Sequence, residues 1–589
     1  MKIMLRQYFQ LAINVVKRHD STFAFVFLLL LAFALHKSAL NGFWRFDDGV
    51  HLAFAAQYSP WEYFLHPSVM LLQSYANVTP YNALFYEINL AIFGMKPSWH
   101  YAHQIVILAL IAFSTYRLLR LWQGPLTSSL AAVLFLGGLP TMQVAQQLMT
   151  GHYATGLLFT VLSLHSFYWG VSNKQILFVW IGAALYLLAT TCKEVYVPLL
   201  LILPFIPVGN LRDRLRASLP YLGVAVLYSA WRYIVLGQFI GGYLVRSVDN
   251  WERILQIVSI PILMAGWQKG YNLADYLFDR NGLYAIAGLL VLILVALASH
   301  RRRLSWILIG VTLPLILLPL IPLTQNPEIR EADRYLFLAW WVSSVFLAIL
   351  IGCLKNSRFE YVFKFSCAVG LIAIIFHLQL IEHRRITPRL EMQDTLYKTV
   401  MRLDNDTALI PPHPRNDYML VLAGAHQAAS LLLAGINGTV KFAVDKSSLC
   451  EYTKQGNTIL AFDETCNCMK DVTQQPYASL GKLLDRELGS IAGVPLSAKL
   501  VLNNRTMHWE LGPYVDGVFS IIIGGTPNEV PAKGEIPWPR KELMQFKVRH
   551  VSLDGRVAVS PVLNFNPNEQ KDFNWQGNST KITLTCEPD

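Results

Sequence analysis

The chain has 589 residues, of which 54% are hydrophobic and 15% charged, and its mean hydropathy is +0.37. Soluble domains carry about 25% charged residues, so this composition excludes an ordinary soluble protein and describes a polytopic membrane protein. The formal charge of +11 does not mark a nucleic-acid binder, because the basic residues fall in short clusters between apolar segments, as in cytoplasmic loops.

The first apolar run, residues 22–40, follows Lys2, Arg6, Lys17 and Arg18. It is longer than the apolar core of a signal peptide, about 7 to 15 residues, and no small-residue cleavage site follows, so it reads as a first span with a cytoplasmic N-terminus. Directly after it comes Phe43-Trp44-Arg45-Phe46-Asp47-Asp48-Gly49-Val50-His51. Two adjacent carboxylates at the edge of a bilayer repel each other and resist desolvation. They persist most easily where they bind a cation, take a proton or meet a basic partner.

With basic clusters assigned inside, further spans follow at 98–122, 126–139 and 153–171. Residues 176–208 are apolar apart from Lys193-Glu194 and read as two short spans meeting at that pair. Arg212, Arg214 and Arg216 mark the cytoplasm before a span at 219–236; an interfacial amphipathic helix is expected at 251–267. Spans at 282–299 and 304–323 flank His300-Arg301-Arg302-Arg303, and the last two are 335–354 and 361–380.

About eleven spans put the tail outside the cytoplasm. The expected domains are therefore 1–381, an α-helical transmembrane unit, and 382–589, a mixed α/β or β-rich extracytoplasmic domain. In the tail, 418–424 reads as a strand, 425–434 as a helix and 440–444 as a strand; further strands are expected at 498–502, 517–523 and 546–551. Cys450, Cys466, Cys468 and Cys586 lie there, an even number in a compartment read as oxidising, and favour disulfides over a metal site. Trp509, Trp538 and Trp575 read as core aromatics first and sugar-stacking platforms second.

Under this topology the unusual polar groups share the outer side: Asp47, Asp48 and His51; Gln143, Gln146, Gln147 and His152; Lys193 and Glu194; Arg232; and Arg330, Glu331, Asp333, Arg334 and Tyr335. Acids and bases gathered from distant segments suit glycosyl transfer from a lipid-linked sugar. A carboxylate takes the acceptor's proton or holds a metal, while a lysine or arginine neutralises charge on the departing phosphate. Lys193 is placed for the second role, with His51, His152 and Gln147 as donor or acceptor contacts.

The Asp47-Asp48 pair, Thr79-Pro80-Tyr81-Asn82, Asn89-Leu90-Ala91-Ile92-Phe93-Gly94, Cys192-Lys193-Glu194 and Asp333-Arg334-Tyr335-Leu336 together resemble the pattern of GT-C glycosyltransferases. The likeness is to the transmembrane half of the transmembrane and tetratricopeptide-repeat O-mannosyltransferases and their bacterial relatives, over about residues 20–380. The resemblance implies inverting transfer from a polyprenyl-phosphate sugar to a glycan or a protein such as a pilin. Asp47 or Asp48 is then the base, or the partner of a divalent metal such as Mg or Mn. Lys193, Glu194, Arg334 and Tyr335 fall near the donor phosphate, and Arg232, near the outer half of its span, is a further candidate for binding it. It also implies a bacterial inner membrane with the tail in the periplasm, and no nucleic-acid partner.

Two positions depart from the pattern. The family's His-Pro and nearby acid after the third span correspond to Leu139-Pro140 and Gln143-Val144, and its Ser-Gly-Arg to Thr150-Gly151-His152. The tail has no 34-residue helical repeat. The competing class is a transporter or flippase for a lipid-linked saccharide, which would also gather cations around a phosphate.

Overall fold

The computed structural model describes residues 20–74, 76–237, 239, 334, 337–353, 360–403, 406–412, 415–436, 440–443, 446–463, 465–475, 493–503, 506–523, 526–537, 543–553 and 556–580. The expected spans at 282–299 and 304–323, the interfacial helix at 251–267, and Tyr335, Trp538 and Cys586 lie outside these residues.

In chain order the helices are α1 (Asp20–His36), α2 (Asp48–Gln57), α3 (Pro60–Leu65), α4 (Pro67–Gln73), α5 (Pro80–Phe93), α6 (Pro97–Leu119), α7 (Pro125–Gly137), α8 (Leu139–Gln146), α9 (Gly151–Asn173) and α10 (Ile176–Cys192). After a 3-10 helix, Glu194–Phe205, come α11 (Leu211–Leu236), α12 (Phe337–Cys353) and α13 (Glu360–Val400). The chain divides into two compact units, Met1–Gly42 with Ala76–Pro388, and Phe43–Tyr75 with Arg389–Asp589. Helix α13 contributes to both, and Pro388 lies at the division.

In the first unit five helical stretches among the described residues are long and apolar enough to cross a membrane: Asp20–Asn41, Pro97–Leu119, Leu148–Ser172, Leu211–Leu236 and Lys364–Val400. The pair α7 and α8 makes a sixth, bent by 52°. The bend has a local cause. Pro140 has no amide hydrogen to continue the ladder, and Trp340 Nε1 on α12 donates to the Leu134 and Phe135 carbonyls, both at 3.2 Å, while the Thr141 hydroxyl also donates to the Phe135 carbonyl at 2.5 Å. Gly138 is required there, because a Cβ would run into the Trp340 ring.

The apolar segment expected as two short spans is α10 followed by the 3-10 helix. Lys193 between them is extended, φ −162° and ψ 141°, and Pro198 and Pro204 keep the second piece from α geometry. Tyr196 holds the break closed by donating its hydroxyl to the Tyr153 carbonyl at 2.5 Å, over Gly156, where any Cβ would meet the Tyr196 ring.

The second unit opens with an α/β layer built from β1 (Thr407–Ile410), α14 (Arg415–Leu432), β2 (Lys441–Phe442), α15 (Lys446–Lys454), β3 (Thr458–Asp463) and β4 (Cys468–Asp471). The sheet order is β2-β1-β3-β4, with β1 parallel to both neighbours and β4 antiparallel to β3. Residues 418–424, read above as a strand, are helical. Their buried positions, Tyr418 and Leu422, continue to Ala425, Ala428 and Ala429 at helical spacing, and a short apolar run does not distinguish the two structures by itself.

A β-sandwich follows, made of β5 (Pro495–Asn503), β6 (Thr506–Gly512), β7 (Val518–Ile523), β8 (Thr526–Val530), β9 (Lys533–Pro537), β10 (Met544–Val551), β11 (Val557–Val559), β12 (Leu563–Phe565) and β13 (Asp572–Asn578). One sheet runs β11-β10-β7-β8, with β12 also on β10; the other runs β13-β5-β6-β9. Leu500, Met507, Phe519, Phe546 and Phe565 lie in the core between them, and Trp509 and Trp575 pack against it. Cys466 and Cys468 form a disulfide, and Cys450 is also disulfide-bonded.

Candidate active site

In the first unit the expected cationic residues gather around the start of α9 and the break after α10. Lys193 is 6% exposed, and its Nζ lies 5.2 Å from the centre of the Tyr153 ring. His152, also buried, has its ring centre 4.6 Å from that of the same ring, tilted by 46°. Arg334 reaches the turn before α9, with Nη1 3.7 Å from Met149 Sδ. A lysine head group over an aromatic face is attracted by the ring's electron-rich face, so the break sets the Lys193 amine against Tyr153, with Glu194 next to it in the chain.

Glu194 and Arg232 form a buried ion pair. The pair grips chain as well as charge. Glu194 Oε1 accepts the Val78 amide at 3.0 Å, Arg232 Nη2 donates to the Ala76 carbonyl at 3.2 Å and Nε to the Phe239 carbonyl at 3.1 Å. Tyr228 adds its hydroxyl to the Val78 carbonyl at 2.9 Å. Arg232 is thus a clasp for residues 76–78, and Glu194 fixes the residue next to Lys193.

Gln147 is buried and donates Nε2 to Gln143 Oε1 at 3.0 Å. Gln143 in turn donates to Glu382 Oε1 at 3.4 Å, and Glu382 is paired with Arg385. Gln143 stands where the resemblance places an acid, and the structure brings the Glu382 carboxylate from α13 to its side. Sequence reasoning missed Glu382; its only signal was an acid directly after the last apolar run, beside His383, Arg384 and Arg385.

The aspartate pair belongs to the second unit. Asp48 opens α2 and is fully buried; its Oδ2 accepts the Arg45 amide at 2.7 Å, which closes the turn. Asp47 sits at the N-cap of the same helix and is partly exposed. His51 lies one turn into α2, its amide bonded to the Asp47 carbonyl at 3.1 Å. The two carboxylates are therefore inequivalent, one closing the turn and one available at the helix N-terminus.

Among the described residues no three His, Cys, Asp or Glu side chains converge as a metal's donor set, and Asp48 already spends an oxygen on the Arg45 amide. These residues do not make a metal site by themselves, and no step below is routed through one. His100 and His103, one helical turn apart on α6, hydrogen-bond separately to the Gly94 carbonyl at 2.9 Å and to Asn89 Oδ1 at 2.7 Å.

No family model matches the chain, and no curated protein does. Among solved structures, the apo crystal structure of the Archaeoglobus fulgidus oligosaccharyltransferase is similar over 85% of this chain and 75% of that one, with a TM-score of 0.42 and 11% sequence identity. At that identity and score the likeness assigns neither family nor activity.

Proposed function

We propose that this membrane protein is a GT-C type glycosyltransferase, using a polyprenyl-phosphate-linked sugar and an extracytoplasmic acceptor, either a glycan or a protein such as a pilin. The observation that carries the reading is Lys193: a buried ammonium at a helix break, held over Tyr153 and flanked by His152 and the Glu194–Arg232 clasp. A cation kept in an apolar wall at the end of a membrane helix suits an anionic lipid headgroup. In this reading Lys193 and Arg334 meet the donor phosphate, Tyr335 adds a hydroxyl, and Glu194 and Arg232 hold Lys193 in place.

The reaction is a single in-line displacement. Asp47 takes the proton of the acceptor hydroxyl as its oxygen bonds to the anomeric carbon; the bond from that carbon to the phosphate oxygen breaks, and its electron pair leaves with the lipid phosphate. Configuration inverts. Lys193 stabilises the charge that builds on the leaving phosphate. Asp47 is assigned the base because Asp48 is buried and closes the turn.

The test is to purify the protein in lipid nanodiscs, supply polyprenyl-phosphate sugars with a bacterial envelope extract, and look by mass spectrometry for sugar added to an acceptor. Transfer by the native protein that disappears in Asp47→Asn supports the assignment. Transfer surviving both Asp47→Asn and Asp48→Asn removes the aspartates from the chemistry, and donor translocation in vesicles without transfer makes the protein a transporter.

A further inference from the structure

The turn that carries Asp47 is held by the last two turns of α13. Arg45, buried, places Nε 2.6 Å from Asp394 Oδ1 and Nη2 2.8 Å from Asp394 Oδ2, a two-pronged grip, and the same Oδ1 accepts the Phe43 amide at 3.0 Å. Gln393 and Tyr397, on either side of Asp394 in α13, add to it. The Phe46 amide donates to Gln393 Oε1 at 3.2 Å, and the Phe46 carbonyl accepts the Tyr397 hydroxyl. Arg389 and Lys398 lie over the Phe46 and Phe43 rings, each 5.6 Å from the ring centre.

This grip is spent on an unfavourable backbone. Phe46 has φ +47°, the left-handed region that a bulky side chain adopts only when its surroundings impose it. Phe46 directly precedes Asp47, so its backbone angles decide where the Asp47 carboxylate points. Arg45 is tied on both sides: its amide goes to Asp48 and its guanidinium to Asp394. Deleting the Asp394 charge removes the carboxylate that grips both Nε and Nη2 of a buried guanidinium, a large penalty in a site shielded from water. The turn then relaxes toward ordinary φ.

We propose that Asp394 is the positioning residue for the Asp47–Asp48 pair: through Arg45 it holds Phe46 in the left-handed conformation and so aims Asp47. The proposal rests on the reading of Asp47 as the base. It makes the end of α13 part of the apparatus that orients the base.

The experiment compares native protein, Asp394→Asn, Asp394→Glu, Tyr397→Phe and, as an external control, Asp463→Asn, which breaks an exposed ion pair with Lys470. Each is assayed for transfer and for amide hydrogen exchange over residues 43–51. Asp394→Asn is expected to lower kcat at least tenfold with donor KM unchanged within twofold, and to speed exchange at residues 43–48 at least tenfold. Asp394→Glu should recover most of kcat, Tyr397→Phe should fall between, and Asp463→Asn should match the native protein.

If Asp394→Asn keeps full kcat while Asp47→Asn is inactive, the proposal is overturned and the transferase reading stands. If the native protein transfers nothing, that reading fails, and exchange alone decides: unchanged protection at residues 43–48 in Asp394→Asn overturns the positioning role. Should Asp394→Asn not accumulate as folded protein, Tyr397→Phe, which removes a single hydroxyl, decides by the same two measurements.

Discussion

Gly49 lies directly against the backbone of Ala425, with no space for a side chain at position 49. The approach is mutual, since a Cβ at Gly424 would meet the Val50 backbone. Two glycines thus let α2, which begins at Asp48, seat on α14. Gly49→Ala is expected to destabilise the protein by about 1–3 kcal/mol, the cost of overpacking a filled interface. The check is a denaturant midpoint for the purified chain. Ala425→Gly in the same chain should recover less than half of the loss, because two of the three nearest atoms are backbone.

The Glu194–Arg232 pair supports a second prediction. Its side chains are 6% and 20% exposed for Arg232 and Glu194, and removing one partner of a buried pair costs about 3–5 kcal/mol. Arg232→Met should therefore lower thermal stability markedly, whereas the double variant Glu194→Leu with Arg232→Met should recover part of it. A loss in the double variant equal to the sum of the losses in Glu194→Leu and Arg232→Met would show that the two residues do not depend on each other.

Lys193 tests the phosphate assignment. Lys193→Met should reduce kcat/KM for the donor about 100-fold or more, the scale for losing a preorganised charge at a reacting group. Lys193→Arg should retain part of the activity, because the charge remains. A measured loss confined to acceptor KM would place Lys193 away from the donor.

A fourth prediction concerns acid stability. His426 on α14 is buried; burial lowers its pKa below the ordinary 6.5, opposed by a hydrogen bond to the Leu403 carbonyl. Because the unfolded chain binds the proton more readily, stability is full above pH 6.5, falls as pH drops through that value, and levels off below the folded pKa. Asp463, Asp471 and Glu510 also have lowered pKa values, from hydrogen bonds with Lys470 and Thr465, Thr473 and Lys533. Their contributions are lost only in more acid solution, below the ordinary carboxylate range. Between pH 7.5 and 5 the melting temperature of the native protein should fall more than that of His426→Gln.

What was legible in the sequence follows the range of the forces involved. Long apolar runs announced α6 and α9 within a few residues, because hydrocarbon thickness sets their length, whereas α11 begins eight residues before its expected span and takes in Arg212, Arg214 and Arg216. The break at Lys193 was legible because two adjacent charged residues in an apolar run have to end a helix or find partners. The alternating strands 498–502 and 546–551 fell inside β5 and β10, and 517–523 matches β7 but for Gly517, which lies in the turn before it. Residues 418–424 misled because seven apolar residues fit either structure, and the helical choice is made by packing against α2. Nothing local to Arg45 or Asp394, 349 positions apart, hints at their pairing. Glu382 beside Gln143 was hidden in the same way.

The assignment of residues 43–75 to the second unit carries a consequence for biosynthesis. That stretch leaves the ribosome early, yet α14 and residues 389–400, against which it packs, follow roughly 300 residues later. At about 5–20 residues per second, the loop waits on the order of 15 to 60 seconds before its partners exist. During that interval Phe46 has nothing to impose its left-handed backbone and Arg45 has no Asp394 to receive its charge. An unfinished chain therefore carries its aspartates without their geometry, and truncation before residue 389 should yield an inserted but inactive protein.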